Sequence, residues 1–212
     1  MIFMLWGRKV GMTQQFASDT HKVIPVTVVD ICKWKILQRK ATINDGYEAV
    51  QIGCLRKKYE KLSFDNVWIK NKKKYFLFIK EIRCQESDIF EIGADFSFDA
   101  VFSDGEIIKV TGKTIGKGFQ GVVKRHRFHG GRAAHGDKLG RKPGALGCLR
   151  RQGHVFKGKR MPGHMGNQTK TIAGIKVINF SKENNNIIIK GSIPGKSGSL
   201  VCLAKEFINE RK

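Results

Sequence analysis

The chain has 212 residues, 41% of them apolar, and its 40 lysines and arginines against 18 acids leave a formal net charge of +22. That length suits one domain with a large appendage or two small domains, with enough apolar content for a real core. No apolar run approaches the roughly 20 residues of a bilayer-spanning helix. The five cysteines, odd in number and without a C-x-x-C pair, point to reduced thiols in an intracellular compartment rather than to a disulfide framework.

The first residues, Ile2 to Trp6, are apolar and precede Arg8 and Lys9, the reverse of a secretory signal's charge order, and they predict a first strand ending in a turn at Gly11. Val23 to Ile31 is rich in β-branched residues, and Pro25 places it at an edge or a strand start. Asn44-Asp45-Gly46 is a turn signal ahead of a short strand around Ala49 to Ile52. Residues 56–84 interleave Lys57, Lys58, Lys61, Lys70, Lys72, Lys73 and Lys74 with Tyr59, Phe64, Trp68, Tyr75, Phe76 and Phe78. Two readings are open for that stretch: nucleic-acid contact by charge and stacking, or an insert whose aromatics are its small core and whose lysines are a solvated face.

Residues 113–170 hold fifteen bases and a single acid, Asp137, for a local charge of +14, whereas the other 154 residues hold twenty-five bases and seventeen acids, only +8. A dense single-sign patch repels itself and is tolerated when a partner supplies the opposite charge. Thirteen glycines from Gly116 to Gly166 would break a basic amphipathic helix, which argues against an anionic membrane as that partner. The stretch has no period of 2 or 3.6, and its single Phe, Leu, Val and Met residues suggest irregular packing against a target rather than a low-complexity tail. An out-and-back excursion of about 40 residues reaches at most roughly 65 Å, at about 3.3 Å per residue along each arm.

Near the far end, Ile172 to Phe180 and Ile187 to Lys190 flank Asn184-Asn185-Asn186 as a hairpin, and Leu200 to Leu203 forms one more strand after the Pro194-Gly195 turn. Several short strands with few helical patterns predict a mainly β chain, a barrel or sandwich.

Catalysis finds little support in the same residues. Gly116-Lys117-Gly118-Phe119-Gln120-Gly121 matches G-x-G-x-x-G, but no V-A-I-K-type lysine, H-R-D loop or D-F-G ligand comes after it, and Asp95-Phe96-Ser97 lies upstream, in the wrong order. A dinucleotide site would need a helix at the third glycine and an acid about 20 residues on. The third glycine instead leads into Val122-Val123-Lys124-Arg125-His126-Arg127, bases without acids. Five of the six histidines lie in the basic segment, where Asp137 is the only carboxylate that could orient a general base. His126 and His129 lack a nearby cysteine for zinc. No catalytic residue, metal, cofactor or small-molecule substrate is therefore expected. Without a helix-turn-helix, zinc finger or basic zipper, the irregular basic segment suits a folded RNA better than a DNA groove.

Five blocks in order make the resemblance: Gly7-Arg8-Lys9-Val10-Gly11-Met12-Thr13; Gly116 to Gly121 with Lys124-Arg125; His135-Gly136; Val155-Phe156-Lys157-Gly158-Lys159-Arg160-Met161-Pro162-Gly163-His164-Met165-Gly166-Asn167; and Gly191-Ser192-Ile193-Pro194-Gly195. With these the chain closely resembles the L-three family of large-subunit ribosomal proteins, in its bacterial and organellar form. The resemblance implies a six-stranded translation-protein-type β-barrel, from 1–55 and 101–122 with 167–212, and a long irregular RNA-penetrating loop at 123–166; residues 56–100, which show little motif-level match to the family, are expected to form a small mixed α/β insert. It further implies early action in large-subunit assembly, a loop directed toward the peptidyl transferase centre, large-subunit ribosomal RNA and neighbouring ribosomal proteins as partners, and a bacterial cytoplasmic or organellar ribosome as the location. The motif positions and the local charge together nominate Lys113, Lys117, Lys124, Arg125, Arg127, His129, Arg132, His135, Lys138, Arg141, Lys142, Arg150, Arg151, His154, Lys157, Lys159, Arg160, His164, Asn167 and Lys170 as RNA contacts. The chain departs from the pattern at Gly140-Arg141-Lys142-Pro143-Gly144-Ala145, where relatives commonly carry His-Arg before Pro-Gly-Ser. Arg150 stands where some bacterial members carry a methylated glutamine, a modification that is not transferred to Gln152.

Overall fold

Alternation of buried and exposed residues along six strands closes the chain into a ring. The computed structural model describes residues 4–17, 22–31, 33–60, 62, 64–84, 90–96, 102–147, 153–181 and 185–205. They fall into two units, Met1–Gly112 with Lys170–Lys212, and Lys113–Thr169.

In the first unit, β1 (Met4–Phe16) and β2 (Val23–Asp30) form a long antiparallel pair. β3 (Trp34–Lys40), α1 (Thr42–Asp45), β4 (Ala49–Leu55), α2 (Val67–Lys70), α3 (Lys72–Tyr75) and β5 (Phe76–Arg83) come next, and then β6 (Ile107–Lys113). After the second unit, which contributes β7 (Phe119–Gln120), α4 (Val122–His126) and β8 (Gly163–His164), come β9 (Thr169–Ser181), β10 (Asn186–Lys190) and β11 (Leu200–Lys205). The order β1-β11-β6-β9-β10-β2 closes because β1 also pairs with β2. Closure leaves no unpaired strand edge in the ring.

Period-2 burial supplies the interior: Leu5, Val29, Ile108, Val110, Val177, Ile187, Ile189, Val201 and Leu203 are all fully buried. Each such side chain contributes about 1.5–3 kcal/mol relative to exposure. Gly7 shares the buried face of β1, where a Cβ would lie 2.5 Å from Val29 Cγ1 and 3.1 Å from the Asp30 carbonyl. Lys9 also falls on that face. Its Nζ donates to the carbonyls of Ile193 (2.9 Å) and Gly195 (3.1 Å), and burial lowers its pKa. The first and last motif blocks of the sequence are thereby bonded to one another.

The first strand does not end at Gly11. The register with β2 shifts between Lys9 and Gly11, a β-bulge that absorbs Val10 and lets β1 run on to Phe16. The predicted turn at 44–46 is a single helical turn capped by Gly46 at φ +79°. β9 and β10 pair antiparallel as predicted and the last strand is present, while Asn184 of the predicted turn lies outside the described residues. β3, β5 and β6 had no predicted counterpart.

β3, β4 and β5 form a separate antiparallel sheet. β3 and β4, though they precede residue 55, thus pair with each other and through β4 with β5 rather than with the ring. β4 is buried nearly throughout, as a central strand covered on both faces should be. Ile52 and Cys54 join the main core, while Leu55 packs with Leu37, Trp68 and Phe76 in a second cluster completed by Tyr59, Phe64 and Tyr75. Of the two readings of 56–84, the packing supports the aromatic core. Trp34 Nε1 donates to the Trp6 carbonyl at 3.0 Å, tying this sheet to β1. Among the described residues no helix is long and apolar enough to cross a membrane.

Candidate nucleic-acid interface

The arms of the second unit are joined by backbone bonds rather than by long strands. Thr114 N–H donates to the Gln168 carbonyl, Lys117 N–H to Met165 and Met165 N–H to Gly118, each at 2.9 Å. Beyond them β7 and β8 pair Phe119 with His164 and Gln120 with Gly163. Gly166, at φ +75°, sits where a Cβ would run into the Ile115 carbonyl, so glycine permits this approach.

After Gly121 the chain turns into α4, which ends at Arg127 in the left-handed conformation (φ 61°). Val122 is its buried anchor, and Lys124, Arg125 and His126 fill its last turn, where cations complement the helix dipole. Arg125 Nη1 donates to the Met161 carbonyl at 2.8 Å, and His126 Nε2 lies 3.0 Å from the same oxygen. A Cβ on Gly163 would lie 2.6 Å from Arg125 Nη1, so the return arm rests directly against that guanidinium. The G-x-G-x-x-G run at 116–121 therefore belongs to one arm of an antiparallel strand pair and leads into a five-residue helix. A nucleotide phosphate loop needs a strand, a tight turn and a long helix in a βαβ unit.

Asp137 is spent on its own loop. Its carboxylate accepts the backbone N–H groups of Arg132 and, at 2.8 Å, Leu139, while Gly131 N–H donates to the Gly140 carbonyl at 2.7 Å. Among the described residues of 113–170 no side chain forms an ion pair; the ion pairs Arg8–Asp30, Lys35–Asp95, Lys40–Glu81 and Lys205–Glu106 all lie in the first unit. The positive charge of the second unit is thus not neutralised internally.

Arg125 is half-buried, and Arg150 and Arg151 lie outside the described residues; every other nominated residue is solvent-exposed. Arg127, His135 and Asn167 hold left-handed backbone (φ 61°, 64° and 54°), a conformation uncommon for residues other than glycine. Lys117, His164 and Asn167 are gathered along the joined arms; Arg132, His135 and Lys138 lie in or beside the loop that Asp137 organises. Among the described residues no three His, Cys, Asp or Glu side chains form a metal-ligand group.

The structure adds apolar residues that charge and motif did not nominate. Phe119 is 74% exposed, and Ile115 and Phe156 are also largely exposed, each within two positions of a lysine in the sequence. Exposed rings among cations are surfaces on which RNA bases stack. An isolated aromatic within a glycine-rich basic run, with no apolar partner at helical or strand spacing, is the signal that would have found them.

A family model described as Ribosomal protein L3 matches residues 85–186. Proteins named large ribosomal subunit protein uL3 are similar over most of the chain: one from Syntrophus aciditrophicus is 42% identical over 194 residues, covering 91% of this chain and 88% of the relative. One from Geotalea daltonii is 40% identical, covering 98% of both, and one from Oceanobacillus iheyensis is 43% identical, covering 92% of this chain and 93% of the relative.

Proposed function

The chain belongs to the ribosomal protein L3 (uL3) family, and from that premise we propose that it is a structural component of the large ribosomal subunit that binds large-subunit ribosomal RNA through residues 113–170. Family membership makes it a ribosomal protein and not an enzyme. The six-stranded ring is the translation-protein-type barrel of this reading, and neighbouring large-subunit proteins are its other partners. The loop at 123–166 extends toward the peptidyl transferase centre, and the protein joins the subunit early in assembly. The relatives are bacterial, which supports a cytoplasmic bacterial ribosome as its place of work.

One observation carries the RNA contact: a +14 segment whose sole carboxylate is committed to backbone amides, leaving exposed cations with no internal counter-charge. Releasing counterions from RNA on binding such a segment makes affinity strongly salt-dependent. For about ten neutralised phosphates the log–log slope is about −7, at about −0.7 per contact. Titration of the full chain against large-subunit ribosomal RNA across a salt series measures it. A slope near zero would sink the proposal.

A further inference from the structure

Bases gather a second time in residues 56–74, where eight Lys and Arg stand against two acids. We propose that Lys57, Lys58, Lys70, Lys73 and Lys74 form a second contact surface for the phosphate backbone of RNA, separate from the 113–170 segment and reading charge alone. The proposal rests on the RNA-binding function above and adds a site to it.

The aromatic residues assemble this surface. Tyr59 and Tyr75 have ring centroids 4.9 Å apart, and Trp68, only 5% exposed, stacks on Tyr75 at 5.2 Å with planes 10° apart. Two lysine-bearing segments distant in sequence, Lys57–Tyr59 and α3, are therefore clamped side by side. Lys58 and Lys74 lie over the neighbouring Tyr59 and Tyr75 rings, at 6.0 and 5.4 Å from their centroids. With the rings committed to one another, little aromatic surface is left for bases to stack on, and charge is what the face presents.

Other cations of the stretch have internal work. Arg56 Nη2 donates to the Lys73 carbonyl at 3.1 Å, and Lys72 Nζ bonds Gln51 and, at 3.4 Å, Gln38. The five lysines of the proposed surface are exposed, and no ion pair among the described residues involves them, although Lys35, Lys40 and Lys205 of the same unit are each paired with an acid. Of the nearby acids, Asp65 accepts the Val67 N–H. A protein partner fits less well, because lysine is depleted in the cores of protein interfaces. Compact ammonium charges on flexible stems suit a phosphate backbone, which demands no planar geometry.

The test measures the salt slope of full-chain binding to large-subunit ribosomal RNA for the unaltered protein, for the fivefold variant K57Q/K58Q/K70Q/K73Q/K74Q and for the matching Lys→Arg variant. If all five lysines meet phosphates, the Gln variant's slope is shallower by about 3.5, at about 0.7 per contact, and the Arg variant retains the original slope. An unchanged slope in a folded Gln variant would overturn the proposal and return these lysines to a solvated or protein-facing role. A near-zero slope in the unaltered protein would overturn the parent reading as well, so the two failures are told apart. Should the Gln variant not fold, acetylation of the unaltered protein decides: RNA protects the five lysines relative to exposed Lys22 and Lys109 if the surface binds it, and equal reactivity refutes it.

Discussion

Replacing Asp137 by asparagine separates two roles that a lone acid in a basic segment could have. As a charge, the carboxylate opposes binding. Its repulsion with a phosphate about 10 Å away in water is about 0.4 kcal/mol, less after screening. As an organiser, it accepts the Arg132 and Leu139 amides at once. Asparagine keeps a single acceptor oxygen and turns an N–H₂ toward the other amide, losing one charge-assisted bond worth about 1 kcal/mol at this exposed position. The second effect is the larger. Asp137→Asn should therefore weaken RNA binding by about 0.6 kcal/mol, roughly threefold, with the salt slope unchanged because no phosphate contact is lost. Gly131→Ala should act in the same direction without altering charge, since its Cβ would lie 2.8 Å from Asp137 Cγ and displace the carboxylate. Equilibrium titration against large-subunit RNA reads both variants. Tighter binding by Asp137→Asn would show that the acid acts as a charge and that the loop needs no organiser.

The same geometry sets expectations elsewhere in the chain. Lys9→Met keeps the aliphatic stem but strips the carbonyls of Ile193 and Gly195 of their donor, and should cost about 2 kcal/mol, a fall in Tm of about 4–8 °C. Because burial depresses the Lys9 pKa in the folded chain, the unfolded chain holds that proton more tightly between the depressed value and 10.5. The Lys9 contribution to stability thus rises with pH across that window, and denaturant titrations should show Lys9→Met losing the rise. Burial pushes the Cys202 thiol up to about 11 from 9.0, so at pH 9 its thiolate fraction, and with it its alkylation rate by mass spectrometry, should be about fifty times below that of an unperturbed thiol; equal rates would refute the burial argument. Alanine at Lys157, Lys159 and Arg160 should impair subunit assembly, measured by sedimentation, while the circular dichroism melt of the ring is unchanged; loss of the ring would make these residues structural.

What could be read in the sequence was what repeats at short range. β2, β10 and β11 declare themselves through β-branched runs and adjacent turn residues, and the basic segment through its charge. β3 and β5 do not, because WKILQRK and FLFIKEIR mix bases into their apolar positions, and their pairing with β4 joins residues as far apart in the chain as Ala49 and Arg83. The extension of β1 past Gly11 depends on a bulge, which inverts the alternation that would have marked the strand. At the interface, charge located the cations but could not show which of them bond inward, since the Arg125–Met161 contact joins residues 36 apart with no local signature.

Inward bonding divides the motif blocks into two kinds of residue. Lys9 and Arg125 stand in blocks that resemble the family, carry positive charge and would count as RNA contacts on charge alone, yet each donates to main-chain carbonyls of another block: Lys9 to Ile193 and Gly195, Arg125 to Met161. Glycines in these blocks are also held by sterics, Gly7 by its closeness to Val29 of β2 and Gly163 by its closeness to Arg125. Part of each block thus fixes the scaffold, and the exposed cations between these anchors, Lys117, Lys124, Lys157, Lys159 and Arg160, are the ones free to meet phosphate. Neutralising an anchor should lower stability and affinity together, whereas neutralising one of those cations should lower the salt slope by about 0.7 and leave Tm in place. An Arg125→Gln variant that changed slope alone would move Arg125 from the first group to the second.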